Sequence, residues 1–213
     1  MTDLHCHILY GIDDGARSAE ESRAMLAVAA KSGIDHIVAT PHVRRLPFDR
    51  EMAVARKREL SPAAEALGVR LDLGFEVHWN VLLALDDAAL SEYCFQDADV
   101  LLMEFSLSME DAPQGHEQMI YRLQRSGYQV VIAHPERYPF VQRDLTLVER
   151  WRDMGCALQL DAICLKQNME PGSKQAARRL FDAGLIDYLA SDAHCVKDYV
   201  LFDKAVKWAE RHG

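Results

Sequence analysis

The chain begins MTDLHCHILYGIDDG (residues 1–15), and its segment LHCHIL at 4–9 is predicted as the first β-strand. Because alternate side chains of a strand point to the same face, His5 and His7 share one face, and Cys6 faces the opposite side, where it fits a hydrophobic core. Two neighbouring imidazoles are typical of a metal site. This strand therefore predicts half of a metal centre, and later strands must supply the other half.

Six further apolar segments are predicted as strands, at 36–40, 70–76, 99–105, 129–134, 156–161 and 187–192. Most lack polar alternation, which indicates strands buried on both faces. Helical patterns lie between them, near 18–32, 49–67, 79–91, 115–127, 144–155, 173–184 and 197–212. Seven βα units predict an α/β domain with a parallel sheet, either open or closed into a barrel, and the strand count favours the barrel. We expect a single domain over 1–213.

Two local signals bear on the helix boundaries. Ser18 followed by Glu21 is a capping-box pattern that predicts the start of the first helix, and Gly33 predicts its end. Pro62 lies inside the second helical pattern and lacks the backbone N–H that a helix interior needs. We therefore expect a kink or a break near Ser61.

Each predicted strand ends in, or is followed by, a histidine or a carboxylate. The residues in this position are His5, His7, Asp13, Asp14, His42, Glu76, Glu104, His134, Asp161, Asp192 and His194. In a parallel barrel these strand ends meet on one face. Imidazoles and carboxylates without thiolates suit Mn²⁺, Fe²⁺ or Zn²⁺. The set is larger than one ion requires, so we expect two or three ions that share a bridging carboxylate.

Some residues of this kind have a second interpretation. A structural role fits Asp13 and Asp161 as well as a metal role, since carboxylates at strand ends often cap helices. His78 could be a ligand or a neighbour of one, and we leave it out of the ligand set. A structural role is predicted for three further histidines, His36, His116 and His212. The first begins a strand, and the other two lie at positions predicted to be solvent-exposed on helices.

Composition argues against several classes of function. The chain has 213 residues, 49% of them hydrophobic, and a net charge of −9, unlike proteins that bind nucleic-acid backbones. Its five cysteines show neither C-x-x-C spacing nor the C-x5-R motif of cysteine phosphatases, and no glycine-rich phosphate loop occurs. Scattered cysteines, without a signal peptide or a long apolar segment, predict a cytoplasmic protein that does not insert into a membrane.

A set of short motifs occurs in order along the chain. They are D-L-H-C-H at 3–7, D-D-G at 13–15, T-P-H at 40–42, E-V at 76–77, E-F-S at 104–106, A-H-P-E-R-Y at 133–138 and S-D-A-H at 191–194. The set resembles the PHP (polymerase and histidinol phosphatase) superfamily, and more closely its bacterial manganese-dependent protein-tyrosine phosphatases of capsule and exopolysaccharide biosynthesis clusters. The resemblance implies a distorted (β/α)7 TIM-like barrel with a metal site at the C-terminal ends of the strands.

The resemblance also implies a ligand set and an activity. The metal ligands would be His5, His7, Asp14, His42, Glu76, Glu104, His134, Asp192 and His194. Glu76 would be the bridging carboxylate of two to three divalent ions, Mn²⁺ first, with Fe²⁺ or Zn²⁺ as alternatives. The activity would be hydrolysis of phosphotyrosine by a metal-activated hydroxide. The substrate would be the tail of a cognate bacterial tyrosine kinase that controls polysaccharide synthesis.

Basic residues near these motifs are candidate substrate contacts. Arg137 of A-H-P-E-R-Y could hold the phosphate as a catalytic residue, or it could form an ion pair with Glu136. Arg44 and Arg45 follow a candidate ligand in a predicted loop. They could bind the phosphate or an acidic peptide, or they could remain solvated.

The chain departs from the family pattern after its last motif. The family usually has an arginine there, but no arginine lies between His194 and Arg211, and Lys197 is the candidate substitute, without a guanidinium fork. Asp161 also stands where the family usually has asparagine. Two alternatives therefore stay open: a small-molecule phosphomonoesterase with a histidinol-phosphate-like substrate, and a non-catalytic protein that docks on a kinase.

Overall fold

The computed structural model describes residues 1–212, which contain nine β-strands and nine α-helices. The strands are β1 (Thr2–Cys6), β2 (His36–Ala39), β3 (His42–Val43), β4 (Arg70–Leu73), β5 (Glu76–His78), β6 (Val100–Glu104), β7 (Gln129–Ala133), β8 (Ala157–Asp161) and β9 (Tyr188–Ala190). The helices are α1 (Ala19–Lys31), α2 (Arg50–Ala66), α3 (Trp79–Ala84), α4 (Asp87–Leu90), α5 (His116–Arg125), α6 (Pro139–Arg143), α7 (Thr146–Asp153), α8 (Ser173–Asp182) and α9 (Val196–Ala209). Because strands alternate with helices along most of the chain, the predicted α/β class is confirmed.

The strands pair in parallel and form two sheets. One sheet has the order β1-β2-β4, and the other has the order β3-β5-β6-β7-β8-β9. The predicted strand at 70–76 is divided into β4 and β5, and the short strand β3 follows the predicted strand at 36–40. The two sheets therefore meet along consecutive segments of the same chain.

Both divisions have a local cause. Pro41, between β2 and β3, has no N–H to give to a strand ladder, although its carbonyl accepts a hydrogen bond from the backbone of Glu76 at 3.2 Å. Gly74, between β4 and β5, lies against Phe95, and a Cβ atom at this position would lie 2.4 Å from the ring. These two interruptions place Glu76 at the first residue of its own short strand.

The first strand also contacts the segment that follows the last strand. The backbone N–H of His7 donates to the carbonyl of Ala193 at 2.9 Å. The buried carboxylate of Asp3 accepts hydrogen bonds from the backbone and the hydroxyl of Ser191, at 2.9 and 2.6 Å. These contacts hold β1 beside β9, but the strand pairing is divided between two sheets and does not itself establish a closed barrel.

The first helix begins at its predicted cap, but the second helix does not end at Pro62. α1 begins after Ser18, whose hydroxyl accepts a hydrogen bond from the backbone N–H of Glu21 at 3.3 Å, as predicted. Of the kink or break expected near Ser61, the break is wrong, because α2 continues through Pro62, whereas the kink stays a prediction. Leu60 and Ala64 are buried on either side of the proline. Their packing supports the helix where one backbone donor is lost.

The segment predicted as a single helix at 79–91 is divided in the structure. α3 ends at Ala84, and the carboxylate of Asp86 caps a separate helix, α4, by accepting a hydrogen bond from the N–H of Ala89 at 2.9 Å. A capping aspartate satisfies a free N–H at the start of a helix, so it favours a new helix over continuation of the old one. Short 3₁₀ turns follow at Ser91–Tyr93, Pro135–Arg137 and Ala162–Leu165.

Both faces of the strands are buried, as predicted. The main hydrophobic core contains Cys6, on the face that the strand pattern predicts, together with Leu101 and Met103 of β6. Leu102 lies between those two residues and packs instead in a smaller cluster with Val131, on the other face. In the part of the chain that the structure describes, no helix is both long enough and apolar enough to cross a membrane.

Candidate metal centre

The structure brings the predicted ligands together. Eight of the nine fall into three overlapping groups, and within each group the candidate ligand atoms lie within 4.8 Å of one another. The groups are His5, His7, Glu76 and Asp192; His42, Glu76 and Glu104; and His7, Asp14, His42 and His194. The ninth predicted ligand, His134, lies beside them, with its Nε2 atom 2.7 Å from Oε1 of Glu76. Because each ligand lies within, at an end of, or shortly after a parallel strand, the topology gathers them.

Glu76 lies at the centre of this cluster and is fully buried. Its Oε2 atom is 2.6 Å from Nδ1 of His42 and 3.3 Å from Nε2 of His5. Nε2 of His7 is 3.4 Å from the same oxygen. One carboxylate therefore belongs to two of the three groups, which is the position that a bridging carboxylate requires.

Two residues orient the imidazoles of the first strand. Oδ2 of Asp13 lies 2.8 Å from Nδ1 of His7, and Oε1 of Gln159 lies 2.8 Å from Nδ1 of His5. Each contact engages Nδ1 and leaves Nε2 facing the cluster, where the two Nε2 atoms are 3.3 Å apart. Histidine ligands are commonly held in this way. Asp13 thus takes an orienting role. The sequence does not predict the orienting role of Gln159, because this residue precedes the end of its strand. Its position two residues before Asp161, on the same face of β8, is the signal that could have found it.

The backbone is unusual at three positions of the cluster. Gly15 of the D-D-G motif packs on β1 so closely that a Cβ atom would lie 2.1 Å from the carbonyl oxygen of His7. His134 and Asp192 adopt left-handed conformations, with φ of 34° and 47°. Non-glycine residues hold such conformations only where the surrounding structure imposes them, and they concentrate at functional sites.

The cluster opens to solvent at one edge. The side chain of Asp14 is 56% exposed, and its Oδ1 atom lies 3.5 Å from Nε2 of His42 and 3.6 Å from Nε2 of His194. The ring of His194 stacks on the ring of His7, with centroids 4.0 Å apart. A substrate can therefore approach the cluster past Asp14.

Buried atoms without hydrogen-bond partners test whether metal ions fit. Within residues 1–212, such atoms include Nδ1 of His42 and Oε2 of Glu76, which lie 2.6 Å apart but not in hydrogen-bond geometry, and also Oε1 of Glu104 and Oδ1 of Asp192. Burying a polar atom without a partner is costly, so a group of them around one point indicates a cation. Imidazole nitrogens and carboxylate oxygens suit Mn²⁺, Fe²⁺ and Zn²⁺. The residues present therefore fit divalent metal ions.

The carboxylates make this cluster attract positive charge. Burial alone would lower the pKa of His5, but Glu76 and Asp192 raise it to about 10. Burial opposes the charge on His42 in the same way, and Glu76 and Glu104 raise its pKa to about 11. Burial would raise the pKa of Glu76, but His42 and His5 hold it well below its usual range. Without another cation the cluster holds protons, which a divalent ion would displace.

Arg137 contacts the inner side of the cluster. Its Nη1 atom donates to Oδ2 of Asp192 at 2.6 Å, and Nη2 lies 3.6 Å from Glu170. The side chain is only 14% exposed. Arg137 is therefore paired with a carboxylate, as one of its two interpretations predicts, and this carboxylate belongs to Asp192, a candidate metal ligand.

The other basic candidates differ in position. Arg44 reaches the exposed edge of the cluster, where its Nη2 atom is 2.6 Å from Nε2 of His42 and its Nη1 atom is 3.5 Å from Oδ2 of Asp14. Arg45 is exposed and lines the neighbouring cavity. Lys197 is exposed, and its side chain makes no hydrogen bond or ion pair with the described residues. The structure thus brings Arg44 and Arg137 to the cluster, but it shows no contact between Lys197 and the cluster.

A separate buried group lies beyond Arg137. It consists of Glu136, Asp161 and Cys164, with candidate ligand atoms within 4.8 Å of one another. Asp161 caps the following turn by accepting a hydrogen bond from Ile163 at 3.0 Å, and its own N–H donates to Glu136 at 3.0 Å. Burial raises the pKa of both carboxyl groups, that of Glu136 well above its usual range. These contacts fit the structural alternative for Asp161.

The remaining histidines lie outside the three groups. Nε2 of His78 lies 2.9 Å from the hydroxyl oxygen of Ser106. His36 pairs with Asp72 at 2.8 Å. The prediction that His116 is solvent-exposed is wrong: it is buried, and its Nδ1 atom lies 2.7 Å from a backbone carbonyl. Its helix presents this face to the core, which a single histidine cannot reveal in the sequence.

Parallel strands with histidines and carboxylates at their carboxyl ends define an α/β protein of the metallohydrolase class. A family model described as "Capsular polysaccharide synthesis, CpsB/CapC" matches residues 1–208, and the chain belongs to this family. The resemblance predicted from the ordered motifs is confirmed.

Two named relatives are similar in sequence to most of the chain. The tyrosine-protein phosphatase YwqE of Bacillus subtilis is 34% identical over 206 residues, covering 92% of this chain and 78% of the relative. The tyrosine-protein phosphatase CpsB of Streptococcus pneumoniae is 30% identical over 204 residues, covering 91% of this chain and 83% of the relative. Homologues over most of the chain are thus named as tyrosine-protein phosphatases.

Solved structures agree with this placement. A chain from the crystal structures of YwqE and CpsB, which are described as unique metal-dependent tyrosine phosphatases, superposes with a TM-score of 0.82 at 30% identity. That match covers 100% of this chain and 87% of the other. A lactonase from Listeria monocytogenes matches with a TM-score of 0.56 at 15% identity, which shows a shared fold alone.

Proposed function

We propose that this protein is a metal-dependent protein-tyrosine phosphatase that acts on phosphotyrosine of a bacterial tyrosine kinase regulating capsular or exopolysaccharide synthesis. The observation that carries the proposal is the buried carboxylate of Glu76, which contacts histidines that lie in or directly after three different strands and which belongs to two ligand groups. The names of the relatives support the substrate class. The family description supports the link to polysaccharide synthesis.

The nine predicted residues would hold two to three divalent ions. The proposed ligands are His5, His7, Asp14, His42, Glu76, Glu104, His134, Asp192 and His194. Three residues belong to two groups each, which supports more than one ion in a shared site. Mn²⁺ is the proposed ion, with Fe²⁺ and Zn²⁺ as alternatives of similar ligand preference. When bound, such ions supply a water of lowered pKa and neutralise charge on phosphate oxygens.

The protein's own residues would position the phosphate. Arg137 lies on the Asp192 side of the cluster and Arg44 on the Asp14 side. A phosphate seated between them could accept hydrogen bonds from two guanidinium groups, which bind phosphate in a bidentate manner. Arg44 could thus take over from the arginine that the family usually carries after its last motif. The substrate roles of Arg45 and Lys197 stay predictions.

We also infer that the strands form one distorted (β/α)7 TIM-like barrel in a single domain. The hydrogen bond from the N–H of Asp192 to the carbonyl of His5, at 2.9 Å, supports closure between the first and last strands. The two sheets share consecutive segments on the other side. All five cysteines are free thiols, which supports a reducing compartment such as the cytoplasm.

The test is phosphate release from a phosphotyrosine peptide and from a matched phosphoserine peptide, with Mn²⁺ and again with chelator. We expect release that is selective for phosphotyrosine, abolished by chelator and abolished in His7→Ala. The matched control is His36→Ala, which removes a histidine outside the cluster and should keep the activity. Metal bound without release from either peptide would contradict the proposal.

One departure favours a second candidate. Because no arginine lies between His194 and Arg211, the phosphate site has fewer guanidinium groups than the family pattern provides. A small phosphomonoester, such as a histidinol-phosphate-like metabolite, would then be the substrate on the same metal site. A higher kcat/KM for such a metabolite than for the phosphotyrosine peptide would support this alternative. Tight peptide binding without product would indicate a non-catalytic docking protein.

A further inference from the structure

A cavity of about 360 Å³ adjoins the exposed edge of the metal centre. Asp14 and His42 belong both to the lining of this cavity and to the candidate ligand set. The inner residues of the cluster, Glu76 among them, are fully buried and give no access from the opposite side. When a phosphate ester binds at the cluster, the group esterified to the phosphate must therefore extend outward past Asp14, into or beside this cavity.

Four side chains give the cavity an apolar wall. They belong to Ile12, Pro47, Phe48 and Met52. Ile12 and Phe48 are half-buried, and Met52 is 39% exposed. This apolar wall lies in a cleft that also contains carboxylates and arginines. Water solvates such a surface poorly, so an apolar group of a ligand can cover it favourably.

The wall is held in place by its own packing. The ring of Phe48 meets the buried ring of Phe75 edge-on, with centroids 5.7 Å apart. Asp49 caps α2 by accepting a hydrogen bond from the backbone N–H of Met52 at 2.9 Å. The start of α2 is thereby fixed beside the cluster. A wall that is already ordered binds a ring without the cost of ordering a loop.

We propose that this wall binds the aromatic ring of the substrate and selects aryl phosphates over alkyl phosphates. The proposal rests on the proposed function, because it assumes that the phosphate sits on the metal centre. The ester oxygen then points towards Asp14, and a phenyl ring attached to it lies against Phe48 and Met52. A phosphoserine has no ring to cover this surface. Exposed Arg45 at the rim supplies positive charge for an acidic residue next to the phosphotyrosine.

The wall is tested with Met52→Ala and Phe48→Ala in the metal-loaded protein. The matched control is Leu46→Ala, since Leu46 is an apolar residue of the same loop, 41% exposed, that does not line the cavity. We expect each wall variant to lower kcat/KM for phenyl phosphate about tenfold, as loss of apolar contact typically does. The kcat/KM for glycerol phosphate should stay unchanged, and the control should change neither value. Equal losses on both substrates, or no loss on either, would overturn the proposal.

A binding measurement separates this proposal from the proposed function. Calorimetric titration of phenylphosphonate and methylphosphonate, which are not hydrolysed, gives the aryl preference without turnover. Wild-type protein that prefers the phenyl compound, with the preference lost in Met52→Ala, supports the wall even if no substrate is hydrolysed, and then the proposed phosphatase activity is what fails. Hydrolysis of phosphotyrosine without any aryl preference in binding or in kcat/KM refutes the wall and leaves the phosphatase standing.

Discussion

The inner and outer halves of the candidate metal centre differ in how firmly they are held. His5, Glu76 and Asp192 are buried, and their partners come from several strands. Asp14 and His194 lie at the solvent-exposed edge. A buried ligand cannot be replaced by water, whereas an exposed one can. The inner half therefore determines whether metal binds at all, and the outer half determines how the substrate reaches it.

The largest effect is expected from Glu76→Gln at the centre of the inner half. The amide keeps the size of the side chain but removes the charge that faces His5 and His42. Removing a residue that only hydrogen-bonds to a metal ligand lowers metal affinity roughly 10- to 100-fold, so removing a carboxylate shared by two ligand groups should lower it more. Metal content after dialysis and phosphate release should both fall to background. The exposed Glu65→Gln is the control, and retention of full metal content by Glu76→Gln would contradict the bridging role.

The inner half should also be sensitive to pH, because protons and metal ions compete for it. The pKa values of His5 and His42, raised to about 10 and about 11 without metal, exceed the ordinary value of 6.5. A histidine whose pKa is higher in the folded than in the unfolded state stabilises the fold when it is protonated. In the metal-free protein this contribution is fully present below pH 6.5 and is lost as the pH rises through 10.

Two measurements follow from this competition. The Tm of metal-free protein should fall between pH 7 and pH 10, on the order of a few degrees, while that of metal-loaded protein should fall less. For each proton that the metal displaces, acidification should lower the metal affinity about tenfold per pH unit. One displaced proton therefore corresponds to a loss of about a hundredfold from pH 8 to pH 6. Calorimetric titration in buffers of different ionisation enthalpy counts the protons released. Metal binding that releases no protons at pH 7 would contradict the assigned charges.

Residues that orient the inner ligands should have the next largest effect. Asp13→Asn keeps a hydrogen-bonding group but removes the negative charge that fixes His7 through Nδ1. We expect metal affinity to fall roughly 10- to 100-fold, and we expect kcat to recover at saturating metal. Gln159→Leu should act in the same way through His5. Failure of excess metal to restore kcat would show that Asp13 does more than hold His7.

The strand ends could be predicted from the sequence because they depend on local patterns. Apolar runs that end in histidine or carboxylate identify the strands, and the parallel arrangement then places those ends together. The orienting residues could not be assigned in this way. Gln159 contacts His5, 154 positions earlier, and no local pattern links the two. Such a contact depends on tertiary packing, which a single sequence does not encode locally.

Interruptions of regular structure were predicted less well. Pro62 lies within an unbroken helix, since buried residues on both sides support the helix around it. The segment at 70–76 is divided, because Gly74 must accept the ring of Phe95 from a distant loop. In both cases tertiary contacts outweigh the local preference. The position of Glu76 depends on the second interruption, which the sequence did not predict, although the resemblance to the family already implied Glu76 as the bridging carboxylate.

The smallest effect is expected at the outer edge, from Asp14→Asn. Its side chain is 56% exposed, so water can take the place of this ligand, and metal affinity should fall by less than the roughly 10- to 100-fold expected for Asp13→Asn. The same charge lies beside Arg44, which contacts it at 3.5 Å, and its removal frees that guanidinium to move. We therefore expect KM for a phosphotyrosine peptide to change more than the metal content does. A loss of metal as large as that of Glu76→Gln would mean that the edge holds the metal as firmly as the interior, and the distinction between the two halves would fail.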